Sequence, residues 1–509
     1  MDSQKTYYDV IVVGGGPAGL TFAQRALAAQ KSVLLLESNG AIGGCHRVER
    51  TQGNLNLFTE HGPRVYSSAY RTFKDILHDI GLDFNALFTR YDIQISNIGG
   101  RTLRSMRLKE WIPFAYAFFL LTFNPDYGSD VTMEQFARQY HFSHGTREYI
   151  DRLCRMTDGA SASRYTLNEF LNLMNQQSLY SLYQPKAPND TGLFKVWVSA
   201  LIQRGLHLKL HTPVTHLSRG GDLLTVNGKY TAKHVILAIP PTSLVRLLQG
   251  IPDPYIKNNF GDIARLSRFA TRTEYIQYIP ITFHWNTKLQ LPKIWGFPAS
   301  DWGVAFIVLS DYFFNEPEKE QERTLISAAI TYQDRPSSAL GKTAAQCSRS
   351  ELISETFRQL CESYPPGTDI PPPTKSIISP DVHYSAQESQ YRNSNSAYIY
   401  SPGSGSVGSA SLPPFGIYVP NLFTLGTHNN ESKYRFTSLE SAVQNAVHLS
   451  NELYSYSPGQ MLMLKGPVML TDLLFPVLCS LFVILIIFIF FVNFKVQWRG
   501  DYLPSRLQS

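Results

Sequence analysis

Hydrophobic and polar positions switch between two periods along this chain. Asp9 to Val13 is a short apolar run of strand type. Leu20, Ala23, Ala26 and Leu27 then recur on one helical face up to Ala29, and Val33 to Leu36 is a second apolar run ending at Glu37. The pattern predicts strand, tight turn, helix, strand. Tyr70, Phe73, Leu77 and Ile80 mark an amphipathic helix. From about Asp92 to Ser181 the period is mostly helical, and Thr132 with Gln135 and Thr166 with Glu169 form capping boxes that open helices.

Further on, the period shortens. Gly192 to Arg204 reads as a helix, and Leu206–Leu210, Val214–Leu217, Leu223–Val226 and His234–Ile239 as strands. Asn227-Gly228 between two of these is a hairpin signal. Phe269 to Ile330 is strand-rich and aromatic, which suggests a larger antiparallel sheet. Ser401 to Ser411 is rich in serine and glycine and reads as a loop. Asn421 to Gly426 reads as a strand and Thr437 to Leu453 as a helix.

Two apolar stretches stand apart. Trp111 to Phe123 is aromatic, contains Pro113 and is too short to span a bilayer. It is expected to pack into a core, or to form an apolar wall at a substrate entrance facing a membrane. Leu473 to Phe494 is almost purely apolar, Asn493 near its end being the one strongly polar side chain, with Asp472 on one side and Lys495, Trp498 and Arg499 on the other. About 22 residues at 1.5 Å each make a helix of roughly 33 Å, enough to cross a bilayer core. The expectation is a single transmembrane helix over 473–494 in the lipid bilayer, with the N-terminal catalytic part cytosolic.

Composition changes the picture little. At 509 residues two domains are the natural expectation. With 43% hydrophobic and 17% charged residues the chain is globular, and a net charge of +6 spread without a basic block gives no nucleic-acid footprint. The five cysteines, Cys45, Cys154, Cys347, Cys361 and Cys479, show no C-x-x-C spacing. That argues against a disulfide framework and a metal site, and fits a reducing compartment.

The first unit carries chemistry. Its turn reads Gly14, Gly15, Gly16, Pro17, Ala18, Gly19, a G-x-G-x-x-G fingerprint between strand and helix. Gly14 permits the sharp turn, Gly16 lets backbone approach a pyrophosphate, and Gly19 lets helix and strand pack closely. Unpaired N–H groups at the helix start favour phosphate, and Glu37 lies where a carboxylate accepts from ribose hydroxyls. The unit therefore points to a dinucleotide. Gly43-Gly44 is a second pair that permits close backbone approach.

With these residues in view, the chain resembles the flavin-containing amine oxidoreductase superfamily, which includes monoamine and polyamine oxidases, protoporphyrinogen oxidase and phytoene desaturases. Four stretches carry the resemblance: GGGPAG to LLLE, Gly43-Gly44, KHVILAIPP (Lys233–Pro241), and NLFTLGTHNN with SLESAVQNA (Asn421–Ala446). The resemblance implies a Rossmann-type α/β FAD-binding domain interleaved with an α+β substrate domain, to which the transmembrane helix is added. The expected division is 1–90, 191–250 and 413–455 for the FAD-binding parts, 91–190 and 251–412 for the substrate domain, 456–472 as linker, 473–494 as the span and 495–509 as a short polar tail.

It also implies non-covalent FAD. Gly14 to Gly19 would hold the diphosphate, Glu37 the ribose, and Gly43 and Gly44 the ribityl chain. Val214 would offer backbone to adenine, Ala238, Gly426 and Leu439 would border the cofactor, and Gly62, Pro63, Arg64 and Tyr66 would lie beside the flavin ring. Ala41 and Cys45 replace both arginines of the family's R-x-G-G-R pattern, and Arg47 is the candidate substitute. The amine oxidases' strand lysine is absent from Tyr275–Trp285, and Ser438 stands where they place an aromatic.

The implied activity is a membrane-anchored FAD-dependent oxidoreductase that takes a hydride from a small organic substrate, with dioxygen as one acceptor. Two alternatives stand beside it: a flavin-dependent isomerase of the UDP-galactopyranose mutase type, and a non-catalytic FAD-binding membrane protein. Candidate catalytic residues are Arg64, Tyr66, Tyr434 and Arg435, with Lys433 as a further candidate for an isomerase.

Overall fold

The structure is a computed structural model that describes residues 6–51, 56–92, 106–272, 277–316, 322–394, 411–435, 437–477, 479–481, 483–484 and 486–487. The 401–410 part of the expected Ser/Gly loop, Tyr275, residues 488–494 of the expected span and the 495–509 tail lie outside the described residues.

A seven-stranded sheet organises the molecule. Its strand order is His207–Lys209, Val33–Leu36, Tyr7–Val13, Tyr230–Leu237, Leu223–Val226 and Leu217–Gly220, with Leu422–Thr424 paired to Tyr230–Leu237. The first strand is parallel to its two neighbours, with Val13 facing Leu36 and Leu237. Its residues Val10, Ile11 and Val12 are fully buried because both sheet faces are covered. The helices Pro17–Ala28 and Leu439–Leu453 cover one face, with Leu20, Ala23, Val443 and Val447 in one core. The helices Pro241–Gln249 and Ile263–Arg272 cover the other.

Leu223–Val226 and Tyr230–Leu237 form the expected hairpin, with Asn227 at φ 52° and Gly228 at φ 64° in its turn. The neighbouring strand runs from Leu217 to Gly220, not from Val214 to Leu217; Val214 lies in the loop before it. The sequence there is pinned by Asn227, whose side chain accepts from Thr215 and His216 N–H groups.

A second, four-stranded antiparallel sheet runs Val304–Val308, Thr324–Ile330, Ile279–Trp285, Lys375–Ile378. The helix Arg349–Glu362 packs on it. The helices Leu108–Phe123, Met133–Gln139, His144–Asp158 and Leu167–Gln177 share a separate core. The expected capping boxes at Thr132 and Thr166 open two of these. The mixed α/β architecture therefore agrees with expectation.

The C-terminal part differs. Residues 456–472 do not hang free: Gln460 O accepts from buried Arg25, Lys465 N–H donates to Thr72, and Thr471 N–H donates to Asn175. The expected transmembrane helix over 473–494 has no support, because among the described residues no helix is long and apolar enough to cross a membrane. Residues 478, 482, 485 and 488–494 of this run lie outside the described residues.

Candidate flavin site

The site grows from two glycine turns that touch. Gly14, at φ 105°, follows the first strand and donates to Leu36 O at 2.8 Å. A Cβ there would lie 2.4 Å from Ala238 O, at the end of the neighbouring strand. A Cβ on Gly19 would lie 2.0 Å from Gly14 O, which explains why only glycine closes helix onto strand. Gly15 O accepts from Gly43 N–H at 2.9 Å, tying the first turn to the second. Gly43 and Gly44 have φ of 127° and 57°, and a Cβ on Gly44 would lie 3.1 Å from Gly16 Cα.

Gly16 is the N-cap of the helix beginning at Pro17, and no side chain caps its N–H groups. Backbone donors and helix dipole are left for an anion. Glu37 is buried and accepts from Gly15 N–H at 2.7 Å and Asn39 N–H at 2.8 Å. Leu439 is the buried first residue of the last helix. Gly426 precedes it, donating to Asn429 Oδ1 at 2.9 Å and accepting from Asn445 Nδ2 at 2.7 Å. Thr427 Oγ1 is buried and has no protein partner.

The other end of the site lies where the segment Phe58–Tyr66 meets the second sheet. Arg64 donates to Cys45 O through Nη2, while its Nε is buried without a protein partner. Tyr66 is buried, and its hydroxyl lies 3.1 Å from Asn189 Nδ2 and 3.3 Å from His46 Nδ1. Burial raises the Tyr66 phenol, opposed by Arg64 and Asn189. Burial also pushes His46 well below its usual range, and Arg64 and His61 add to this. Gly62 lies against Tyr278 and Ala329 of the second sheet, and its φ of 149° disfavours a side chain. Phe58, Glu60, Arg64, Tyr66, Gln184 and Asn189 line a small cavity here.

Glu60 is a further candidate that lies inside the segment singled out, in the lining of this cavity. Burial raises its carboxyl to about 7, with Ser327 and Arg64 pulling it down. The available signal is a carboxylate at the end of the short strand Phe58–Glu60, whose three residues are all buried. Sequence reasoning passed over both Glu60 and Thr427.

The remaining candidates scatter. Arg47 is buried and paired with Glu49 and with Asp381 at 2.9 Å. Tyr434 is buried, with its hydroxyl accepting from Gln177 and its ring edge-on to Tyr70. Arg435 is exposed, 3.2 Å from Asp126, and Lys433 is exposed too. Val214 is half-buried in its loop.

A glycine-lined βαβ turn with an acid at the second strand end defines a dinucleotide-binding protein of the doubly wound class. The comparisons narrow this. The family model described as flavin containing amine oxidoreductase matches residues 17–449, and the chain belongs to that family. The probable flavin-containing monoamine oxidase A of Dictyostelium discoideum is 24% identical over 277 residues, covering 48% of this chain and 59% of that protein. The chain therefore matches less than two thirds of that relative's length.

Among solved structures, putrescine oxidase with putrescine bound has a TM-score of 0.61 at 15% identity, covering 88% of this chain and 99% of that one. Cyclohexylamine oxidase from Brevibacterium oxydans IH-35A has a TM-score of 0.57 at 14% identity, over 88% and 99% of the two chains. At such identities these neighbours show the shared fold. The family's cofactor is a flavin, and the residues here fit FAD. The uncapped helix start suits a diphosphate, Glu37 a ribose, and the unpartnered Thr427 hydroxyl and Arg64 Nε the polar edges of the remainder.

Proposed function

We propose that this chain is an FAD-dependent oxidoreductase that removes a hydride from a C–N or C–C bond of a small organic substrate. The observation that carries the proposal is the contact of two glycine turns, at Gly16 and Gly44, beside an uncapped helix start. Gly14 to Gly19 would hold the diphosphate, Glu37 would orient the adenosine ribose, and Gly43 and Gly44 would border the ribityl chain. The chemistry FAD supplies when bound is acceptance of a hydride at N5 and onward transfer of electrons to dioxygen or another acceptor. Phe58, Leu309 and Phe313 are apolar residues in the lining of the cavity that holds Arg64. Glu60 holds a proton below about pH 7 and a negative charge above it. The test is anaerobic mixing of the purified protein with amines, desaturation substrates and nucleotide sugars. Bleaching of the flavin absorbance by one donor class supports the proposal; reduction by none, with full flavin occupancy, would favour a non-catalytic protein.

The isomerase reading needs Arg64, Lys433, Tyr434 and Arg435 around one pyrophosphate. Tyr434 is buried on Gln177 while Lys433 and Arg435 face solvent, so no observation favours it.

The proposal includes attachment to a membrane through residues 473–494, with the catalytic part on the cytosolic side. Two observations support it. The run is almost purely apolar, with Ser480 and Asn493 its polar side chains. Leu473, Val477, Leu481 and Ile484 are each more than half exposed, so the domain does not bury them. Fractionation of cells expressing the full chain tests this: release from membranes by alkaline carbonate would count against a spanning segment.

A further inference from the structure

We propose that the outer face of the helix Leu108–Phe123 rests on a phospholipid surface. The helix is divided lengthwise. Ala117 and Leu121 are buried in the core shared with the helices Met133–Gln139 and Leu167–Gln177. Opposite them, Trp111, Ile112, Tyr116, Phe119 and Phe123 are between 44% and 64% exposed. Such a contiguous row of large side chains is costly in water and marks an interaction surface.

Two features select lipid over a protein partner. The first is continuity with the C-terminal segment. The rings of Phe119 and Phe123 lie 5.1 Å apart, and Phe123 meets Phe475 at 5.8 Å. From Leu473 on, the exposed apolar residues are Leu473, Leu474, Phe475, Val477, Leu481, Val483, Ile484, Ile486 and Ile487, spacings that are not confined to one face of a helix. A single docked partner covers one side of a helix, whereas hydrocarbon covers several at once. The second is the polar edge. Trp111 and Tyr116 are amphipathic rings of the kind found at headgroup level, and Arg107 and Lys109 are exposed at the helix start. The one acid of the helix, Glu110, is buried, accepting from Ser143 N–H and Thr146 Oγ1. No carboxylate of the helix therefore faces an anionic headgroup.

The consequence is orientation. A single spanning segment would leave the domain free to swivel, whereas a second contact fixes which side faces the bilayer. The inner side of the same helix shares its core with Tyr278, which lies against Gly62 at the candidate site. The proposal extends the membrane reading of residues 473–494 and can fail separately from it.

The test uses the full chain reconstituted into phosphatidylcholine–phosphatidylserine vesicles containing a phospholipid with a diazirine in its acyl chain. Lipid adducts are mapped by peptide mass spectrometry after illumination. Adducts on peptides spanning 108–123, and their loss in Ile112→Lys/Phe119→Lys with the flavin spectrum kept, are expected. Adducts confined to 473–487 would overturn this proposal and leave the anchor standing. Adducts on neither segment would remove both. Protein–protein crosslinks between two copies at 108–123, in place of lipid adducts, would mean the face is a dimer interface.

Discussion

Gly16 and Gly44 meet backbone to backbone. A Cβ added to Gly16 would lie 3.6 Å from Gly44 Cα, and one added to Gly44 would lie 3.1 Å from Gly16 Cα. The pair joins two turns separated by a helix and a strand into one surface without side chains. Large groups with phosphates can approach such a surface, because backbone N–H groups are accessible there.

This contact separates two glycine substitutions that look alike in sequence. Gly16→Val fits locally, since its Cβ would make an ordinary contact, but its methyl groups fill the approach. The variant should fold and lose FAD. Gly19→Ala puts a Cβ 2.0 Å from Gly14 O, so it should lose the fold itself. Circular dichroism together with flavin absorbance distinguishes the two. Full flavin occupancy in Gly16→Val would show the cofactor site to be elsewhere.

Glu440 caps a helix far from it in sequence. It is fully buried and accepts from Thr72 N–H at 2.8 Å and Phe73 N–H at 2.9 Å, at the start of the helix Arg71–Asp79. Glu440→Ala leaves both donors without partners in the core. At roughly 1–3 kcal/mol for each of the two orphaned groups, a loss of about 2–6 kcal/mol is expected in denaturant unfolding. A midpoint equal to that of the unsubstituted protein would mean the cap contributes little.

Glu60 provides a pH test. Burial first of all, opposed by Ser327 and Arg64, raises its carboxyl from 4.5 to about 7. Between these values the folded state keeps a proton that the unfolded state has released. Stability therefore falls as pH rises through this window, by about 3 kcal/mol for this group, and the loss is complete above pH 7. Glu60→Gln cannot titrate, so its unfolding midpoint should vary less with pH between 5 and 7. Parallel profiles for the two proteins would show that Glu60 is not held neutral.

Simple monoamines should reduce the flavin slowly. No lysine occurs in the strand Ile279–Trp285, and the next one along the chain, Lys288, is engaged by Asp311 at 2.8 Å. Ser438 serves as N-cap of the last helix, accepting from Ser441 N–H, so this position is used for capping. Stopped-flow reduction by benzylamine at a rate typical of a dedicated amine oxidase would contradict this.

Much of the fold could be read from local pattern. The βαβ unit, the Asn227-Gly228 hairpin and the capping boxes at Thr132 and Thr166 are short-range devices, written in residues a few positions apart. The relationships that were not legible are long-range. Arg47 stands beside the glycine pair in sequence, but its charge is taken up by Asp381, 334 positions away. Tyr434 and Arg435 are adjacent and looked like one motif, yet one enters the core and the other faces solvent. Residues 456–472 have the composition of a linker, and only the folded domain supplies Arg25, Thr72 and Asn175 to hold them. Trp111 to Phe123 read as either core or entrance wall; burial divides it by face.

The central claim is that this chain holds FAD non-covalently in the Gly14–Gly19 and Gly43–Gly44 turns. The most direct measurement is the absorption spectrum of the purified protein, followed by acid precipitation and identification of the released chromophore. The account predicts about one FAD per chain, all of it in the supernatant, and none bound in Gly16→Val. A colourless, folded protein, or yellow colour that stays with the precipitate, would contradict it.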